Sequence, residues 1–87
     1  MPRRQVVITA HNGVHARPVA EIVRVVQAHP HAVTLRTSTG AVVDLSSVLA
    51  LMDLGLTSGD VVVLETADSA GADRMLDTLS GVLDPRR

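Results

Sequence analysis

Gly13-Val14-His15-Ala16-Arg17-Pro18 is the stretch on which the reading of this chain turns. Gly13 takes a positive φ at little cost and suits a tight turn. Pro18 lacks an N–H, and the first turn of a helix is where that loss matters least. Beyond it Val19, Ile22, Val23 and Val26 recur at i, i+3, i+4 and i+7, one face of a helix. The spacing predicts a helix from about Ala16 to Ala28, stopped by Pro30, with His15 at or just before its N-terminus. Glu21, Arg24 and Gln27 fall on its outward face, and Ala20, one turn from Ala16, leaves room beside His15.

Working outward, Gln5 to Ala10 is short and β-branched and reads as a strand, with Val6 and Ile8 on one face. His11-Asn12-Gly13 is turn chemistry. Ala32 to Arg36 alternates as a strand with Val33 and Leu35 inward. Thr37 to Gly40 makes a hairpin turn, and Ala41 to Leu45 returns. Ser46 or Ser47 starts a short helix to about Leu54, with Gly55 as its stop. Ser58-Gly59-Asp60 is a turn. Val61 to Thr66 is the most apolar strand and so a central one. Asp68 or Ser69 caps a last helix, about Ala70 to Leu83, whose buried stripe is Ala72, Met75, Leu76, Leu79, Val82 and Leu83. Asp73 and Asp77 favour its dipole. The order βαββαβα with helices on one side predicts a two-layer α+β domain spanning residues 1–87. Thr9, Thr34 and Arg36 suit the sheet face left to solvent.

The junction at His15 has chemical consequences. The first N–H groups of a helix have no intrahelical partner and, with the helix dipole, attract anions, phosphate above all. Arg17 adds a permanent charge whose planar fork suits phosphate oxygens. The same positive end disfavours an imidazolium, so a neutral, nucleophilic ring is expected at pH 7. A nucleophile beside a cradle for the group it would receive reads as a phosphoryl acceptor. Taken alone, H-x-R-P also describes a histidine that caps a helix without chemistry.

Composition excludes other classes. The 87 residues contain no cysteine, so there is no disulfide frame or thiolate metal site, as fits a reducing cytoplasm. The apolar runs are too short to span a membrane, and no targeting segment is visible after the basic Met-Pro-Arg-Arg start. With a net charge of −1 and no Phe, Tyr or Trp, neither a global field nor stacking platforms favour nucleic acid. His11 and His15 are spaced i, i+4, but Gly13 breaks the helix a metal pair would need. No metal site and no cofactor are expected.

G-V-H-A-R-P resembles the G-[IL]-H-x-R-P motif of HPr, the family of histidine phosphocarriers of the sugar phosphotransferase system. A second block, Val43-Asp44-Leu45-Ser46-Ser47-Val48-Leu49-Ala50-Leu51-Met52-Asp53-Leu54-Gly55-Leu56, is similar to the family's segment around its regulatory serine. The two blocks lie at nearly the family spacing, with about one extra residue in the Thr37–Gly40 turn. The resemblance implies an open-faced sandwich, a four-stranded antiparallel sheet with three helices on one face.

It also implies roles. His15 would carry the phosphoryl group, on Nδ1, with Arg17 as clamp, the Ala16 and Arg17 amides as hydrogen-bond donors to the phosphate and Asn12 in support. Enzyme I would donate and enzyme IIA domains would accept, with the chain a monomeric cytoplasmic carrier rather than an enzyme. Val48, Leu49, Leu51, Met52 and Leu54 are too many apolar residues for one short helix to bury. The family pattern implies that Val48, Leu49 and Met52 are exposed and, with Ala20, dock partners. Ser47 aligns with the serine that a dedicated kinase modifies in some members, so a serine kinase or a transcriptional regulator would be a further partner. The preceding residue is Ser46 rather than the usual lysine, which favours reading Ser47 as a plain N-cap, a place that Ser46 could also take. Two other functions share these residues: a carrier in a regulatory, nitrogen-type or dihydroxyacetone kinase relay, and a regulatory module that binds without transfer. All eight basic residues are arginine, so the lysines that often surround the family's site are missing.

Overall fold

A computed structural model of the protein describes residues 2–9 and 16–85, with the side chains of Ala16 and Arg17 outside the description. Seven elements follow in order: β1 (Arg3–Val7), α1 (Ala16–Gln27), β2 (Val33–Thr37), β3 (Val42–Asp44), α2 (Val48–Asp53), β4 (Val61–Thr66) and α3 (Ala72–Leu83). The strands form one antiparallel sheet in the order β1-β4-β2-β3. β1 and β2 are therefore parallel to each other with β4 inserted between them, a split βαβ unit. The apolar Val61–Thr66 segment is central, as its composition predicts.

Alternation along the strands sorts the two faces. Val6, Val33, Leu35, Val62 and Leu64 are buried under the helices, and Ile8 and Leu45 continue that face. Gln5, Val7, Arg36 and Val42 lie on the open face and are exposed. The helices lie side by side with α1 in the middle: it packs against both α3 and α2, while α3 contacts β1 and α2 contacts β3. α1 contributes Val19, Ile22, Val23 and Val26 to the core and α3 contributes Met75, Leu76, Leu79 and Leu83. The core holds no aromatic ring, so close packing of branched aliphatic side chains supplies the apolar burial. Among the described residues, the buried Thr66 hydroxyl donates to the Ala32 carbonyl (2.9 Å) and the buried Ser80 hydroxyl to the Leu76 carbonyl (2.8 Å).

Several boundaries differ from the sequence expectation. β1 begins at Arg3 rather than Gln5, because Arg3 pairs across the sheet with Glu65 (2.9 Å) and Arg4 reaches Asp77 on α3. It ends at Val7, and Thr9, expected on the solvent face, is half-buried with its hydroxyl on the Asp84 carboxylate. β2 starts and ends one residue later than read, and β3 is shorter. α3 begins at Ala72 rather than Ala70. Its N-cap is Gly71, not Asp68 or Ser69, and no side chain caps it. Val82 is only half-buried, and Ser80 takes a place in the buried stripe. The expected turn at His11-Asn12-Gly13 lies outside the described residues.

Candidate functional site

α1 starts at Ala16, so Ala16 and Arg17 occupy its first turn, where backbone N–H groups lack intrahelical acceptors. That turn carries no acidic residue, so nothing in it competes with an incoming anion for the positive end of the helix. His15 directly precedes Ala16 in the chain. His15 and Asn12 themselves, and the Arg17 side chain, lie outside the described residues. Farther along α1, Ala20 is exposed, and Arg24 is tied to Glu21 of the preceding turn (2.7 Å).

α2 packs beside α1. Asp44, at the end of β3, accepts from both the Ser46 hydroxyl (2.7 Å) and the Ser46 N–H (2.8 Å). These two hydrogen bonds, the hydroxyl's first, hold the Asp44 carboxyl below its ordinary value of 3.8. Ser46 is thereby occupied, and Ser47 is the N-cap: its Oγ accepts from the Ala50 N–H (3.2 Å). Gly55, with φ 61°, takes the left-handed turn just past the Leu54 C-cap, the conformation that favours glycine.

A six-residue helix has one inward face, and Leu51 fills it at 1% exposure with Leu54 half-buried beside it. Val48 at 42%, Leu49 at 77% and Met52 at 46% are left facing solvent. The sequence therefore placed too many apolar residues on α2 for burial, and the surplus forms a compact patch on the helix adjacent to α1. Clefts of about 170 Å³ beside the β2–β3 turn and about 230 Å³ between the ends of α1 and α3 do not border this patch. His29 and His31 meet edge to face at 5.9 Å, and among the described residues no three metal-ligating side chains gather.

An antiparallel sheet with one face open and three helices on the other defines the open-faced α+β sandwich class, here with an acid-free start to α1 and exposed apolar side chains on the neighbouring α2. A family model described as the PTS HPr component phosphorylation site matches residues 2–84. The chain belongs to this family, the HPr phosphocarriers of the phosphotransferase system. It is 36% identical to the phosphocarrier protein HPr of Vibrio cholerae over 97% of this chain and 96% of that one. It is 35% identical to that of Streptomyces coelicolor over 92% of this chain and 85% of the other. The fold matches the crystal structure of HPr from Bacillus anthracis with a TM-score of 0.85, at 23% identity over 95% of this chain and 96% of that one. HPr from Thermoanaerobacter tengcongensis matches equally, with a TM-score of 0.85, 22% identity and 99% and 94% coverage. The described residues contain no helix long and apolar enough to cross a membrane.

Proposed function

We propose that this chain is a single-domain carrier that accepts a phosphoryl group on His15 from phosphorylated enzyme I and passes it to a histidine of an enzyme IIA domain for sugar uptake. The observation that carries the reading is the G-V-H-A-R-P motif at the start of an acid-free helix, in a chain matching phosphocarriers over nearly its whole length. In the accepting step the His15 ring nitrogen, Nδ1 by family likeness, forms a P–N bond as the donor's P–N bond breaks. The donor histidine leaves as neutral imidazole, and an in-line path requires both rings to approach across flat surfaces. The Ala16 and Arg17 amides and the Arg17 guanidinium hold the phosphate oxygens without enclosing them, which keeps the phosphoramidate transferable, and Asn12 orients the imidazole or braces the turn. Val48, Leu49, Met52 and Ala20 supply the contact area for both partners. The chain is a substrate of the relay rather than a catalyst, and acts as a monomer in the cytoplasm, where phosphoenolpyruvate feeds enzyme I. Phosphorylation of Ser47 by a serine kinase would add a dianion at the start of α2, beside this apolar patch, and weaken docking of phosphorylated partners.

The test is phosphorus NMR after incubation with phosphoenolpyruvate and enzyme I, on the wild type and on His15→Ala. An acid-labile phosphoramidate signal in the wild type that vanishes in the variant supports the reading. Its absence from the wild type, with enzyme I active on another carrier, overturns it.

A further inference from the structure

The sulfur chemistry of this chain is confined to thioethers. It has no Cys, Trp or Tyr and three methionines, so Met1, Met52 and Met75 are its sites for two-electron oxidation at sulfur. The two in described positions differ sharply. Met75 packs in the core at 7% exposure, whereas Met52 is 46% exposed on the outer face of α2. Met52 lies one turn from Val48 and three residues from Leu49, so its side chain adjoins both other members of the apolar patch. Susceptibility to oxidation follows exposure, and a patch of three large side chains changes character when one becomes polar.

We propose that Met52 is a reversible oxidation site through which peroxides weaken partner docking. This rests on the docking role assigned to α2 above. In the reaction the thioether sulfur donates an electron pair to one oxygen of a hydroperoxide. The S–O bond forms as the O–O bond breaks. Sulfur is oxidised by two electrons, the peroxide is reduced, and water (from hydrogen peroxide) or an alcohol leaves. The product sulfoxide is a strong hydrogen-bond acceptor on a surface that must be desolvated when a partner docks. Among the described residues its neighbours on α2 offer the oxygen no side-chain donor: Val48 and Leu49 are apolar and Asp53 is acidic. A polar oxygen buried without a donor opposes association. His15 chemistry is untouched, so the effect falls on the apparent affinity between carrier and partner and not on the transfer step. Methionine sulfoxide reductases restore the thioether.

The experiment treats the whole chain with hydrogen peroxide, locates the added oxygen by peptide mass spectrometry, and measures phosphorylation by enzyme I as a function of carrier concentration. Met52 is expected to oxidise at least about tenfold faster than Met75. The KM of enzyme I for the oxidised carrier should rise by about tenfold, the weight of one central interface side chain, with kcat unchanged. Sulfoxide reductase should reverse the rise. Met52→Leu, whatever its own starting KM, should show the same KM before and after peroxide. Equal oxidation of Met52 and Met75, or complete oxidation of Met52 with no change in KM, overturns the proposal. If the untreated wild type is not phosphorylated at all, the carrier reading fails first, and the proposal built on it falls with it.

Discussion

At the residue scale, two adjacent serines have different tasks that their spacing alone leaves open. Ser47 caps α2, and its loss leaves the Ala50 N–H without its acceptor. Ser47→Ala is expected to cost about 1 kcal/mol of folding stability, measured by urea denaturation, and Ser47→Gly only a few tenths. Ser46 instead serves Asp44, donating both its hydroxyl and its N–H to the carboxylate. These bonds hold the folded Asp44 carboxyl below the 3.8 of a free side chain, so the folded state releases the proton more readily than the unfolded one. The resulting stabilisation is complete above 3.8 and is lost as the pH falls through the depressed folded value. Asp44→Asn should therefore be modestly less stable than wild type at neutral pH. The gap should close in strong acid, where both side chains are neutral, and thermal melts from neutral pH down to pH ~2 check the convergence. A gap that persists unchanged into acid would mean that the charge of Asp44 contributes nothing. Ser46 and Ser47 are both good caps by type, and only the position of Asp44 two residues upstream assigns Ser46 away from that role.

At the scale of the element, α2 divides its side chains between the core and the solvent. Leu51 is part of the core, and Leu51→Ala should cost about 2–5 kcal/mol in equilibrium unfolding. Leu49→Ala removes a side chain that touches mostly water, so stability should stay within about 0.5 kcal/mol of wild type. The same substitution should raise the KM of enzyme I for the carrier, measured by the rate of phosphate uptake, and no change there would remove α2 from the docking surface. The elements differ in how much their residues disclose. β4 is legible to the residue because Val61–Thr66 is apolar and bounded by a Ser-Gly-Asp turn. β1 is read two residues late because Arg3 and Arg4 look like a charged tail. Their strand role comes from cross-strand and helix partners, Glu65 and Asp77, far away in sequence. α3 is given the wrong cap because Asp68 and Ser69 have cap chemistry, while Gly71 holds the position without a side-chain bond. The surplus of apolar residues on α2 is visible in the sequence, but which of them face out depends on how α1 and β3 close over Leu51 and Leu54. The residues around His15 carry their message through motif chemistry, which needs no packing partner to be read.

At the scale of the whole molecule, three arginines among the described residues are held in ion pairs within the fold. The net charge is −1 and every basic residue is an arginine. Arg3 binds Glu65 on the open sheet face, Arg4 binds Asp77 across the sheet–helix layer, and Arg24 binds Glu21 along α1. These exposed pairs each add little stability, but each lowers the field its arginine projects outward. The exposed α2 face presents Val48, Leu49 and Met52, with Asp53 next to Met52 in the chain. A carrier surrounded by unpaired lysines would meet acidic partner faces by long-range attraction, and added salt would slow it steeply. With partners docking on this α2 face, as proposed, association would rest on desolvating apolar area, which salt does not screen. The KM of enzyme I for this carrier is therefore expected to change by less than about threefold between ~0.05 and ~0.5 M salt, a range in which the Debye length falls well below the size of a docking face. A control carrier with lysines at its docking face should lose affinity steeply in the same assay. If this chain proved equally sensitive, the attraction would have to come from Arg17 at the phosphoryl site rather than from α2, and Arg17→Gln would abolish the salt dependence together with most of the transfer rate. If Arg17→Gln slowed transfer but left the salt response flat, docking and phosphate clamping would be separate functions of two adjoining helices, with α1 receiving the phosphate and α2 holding the partner.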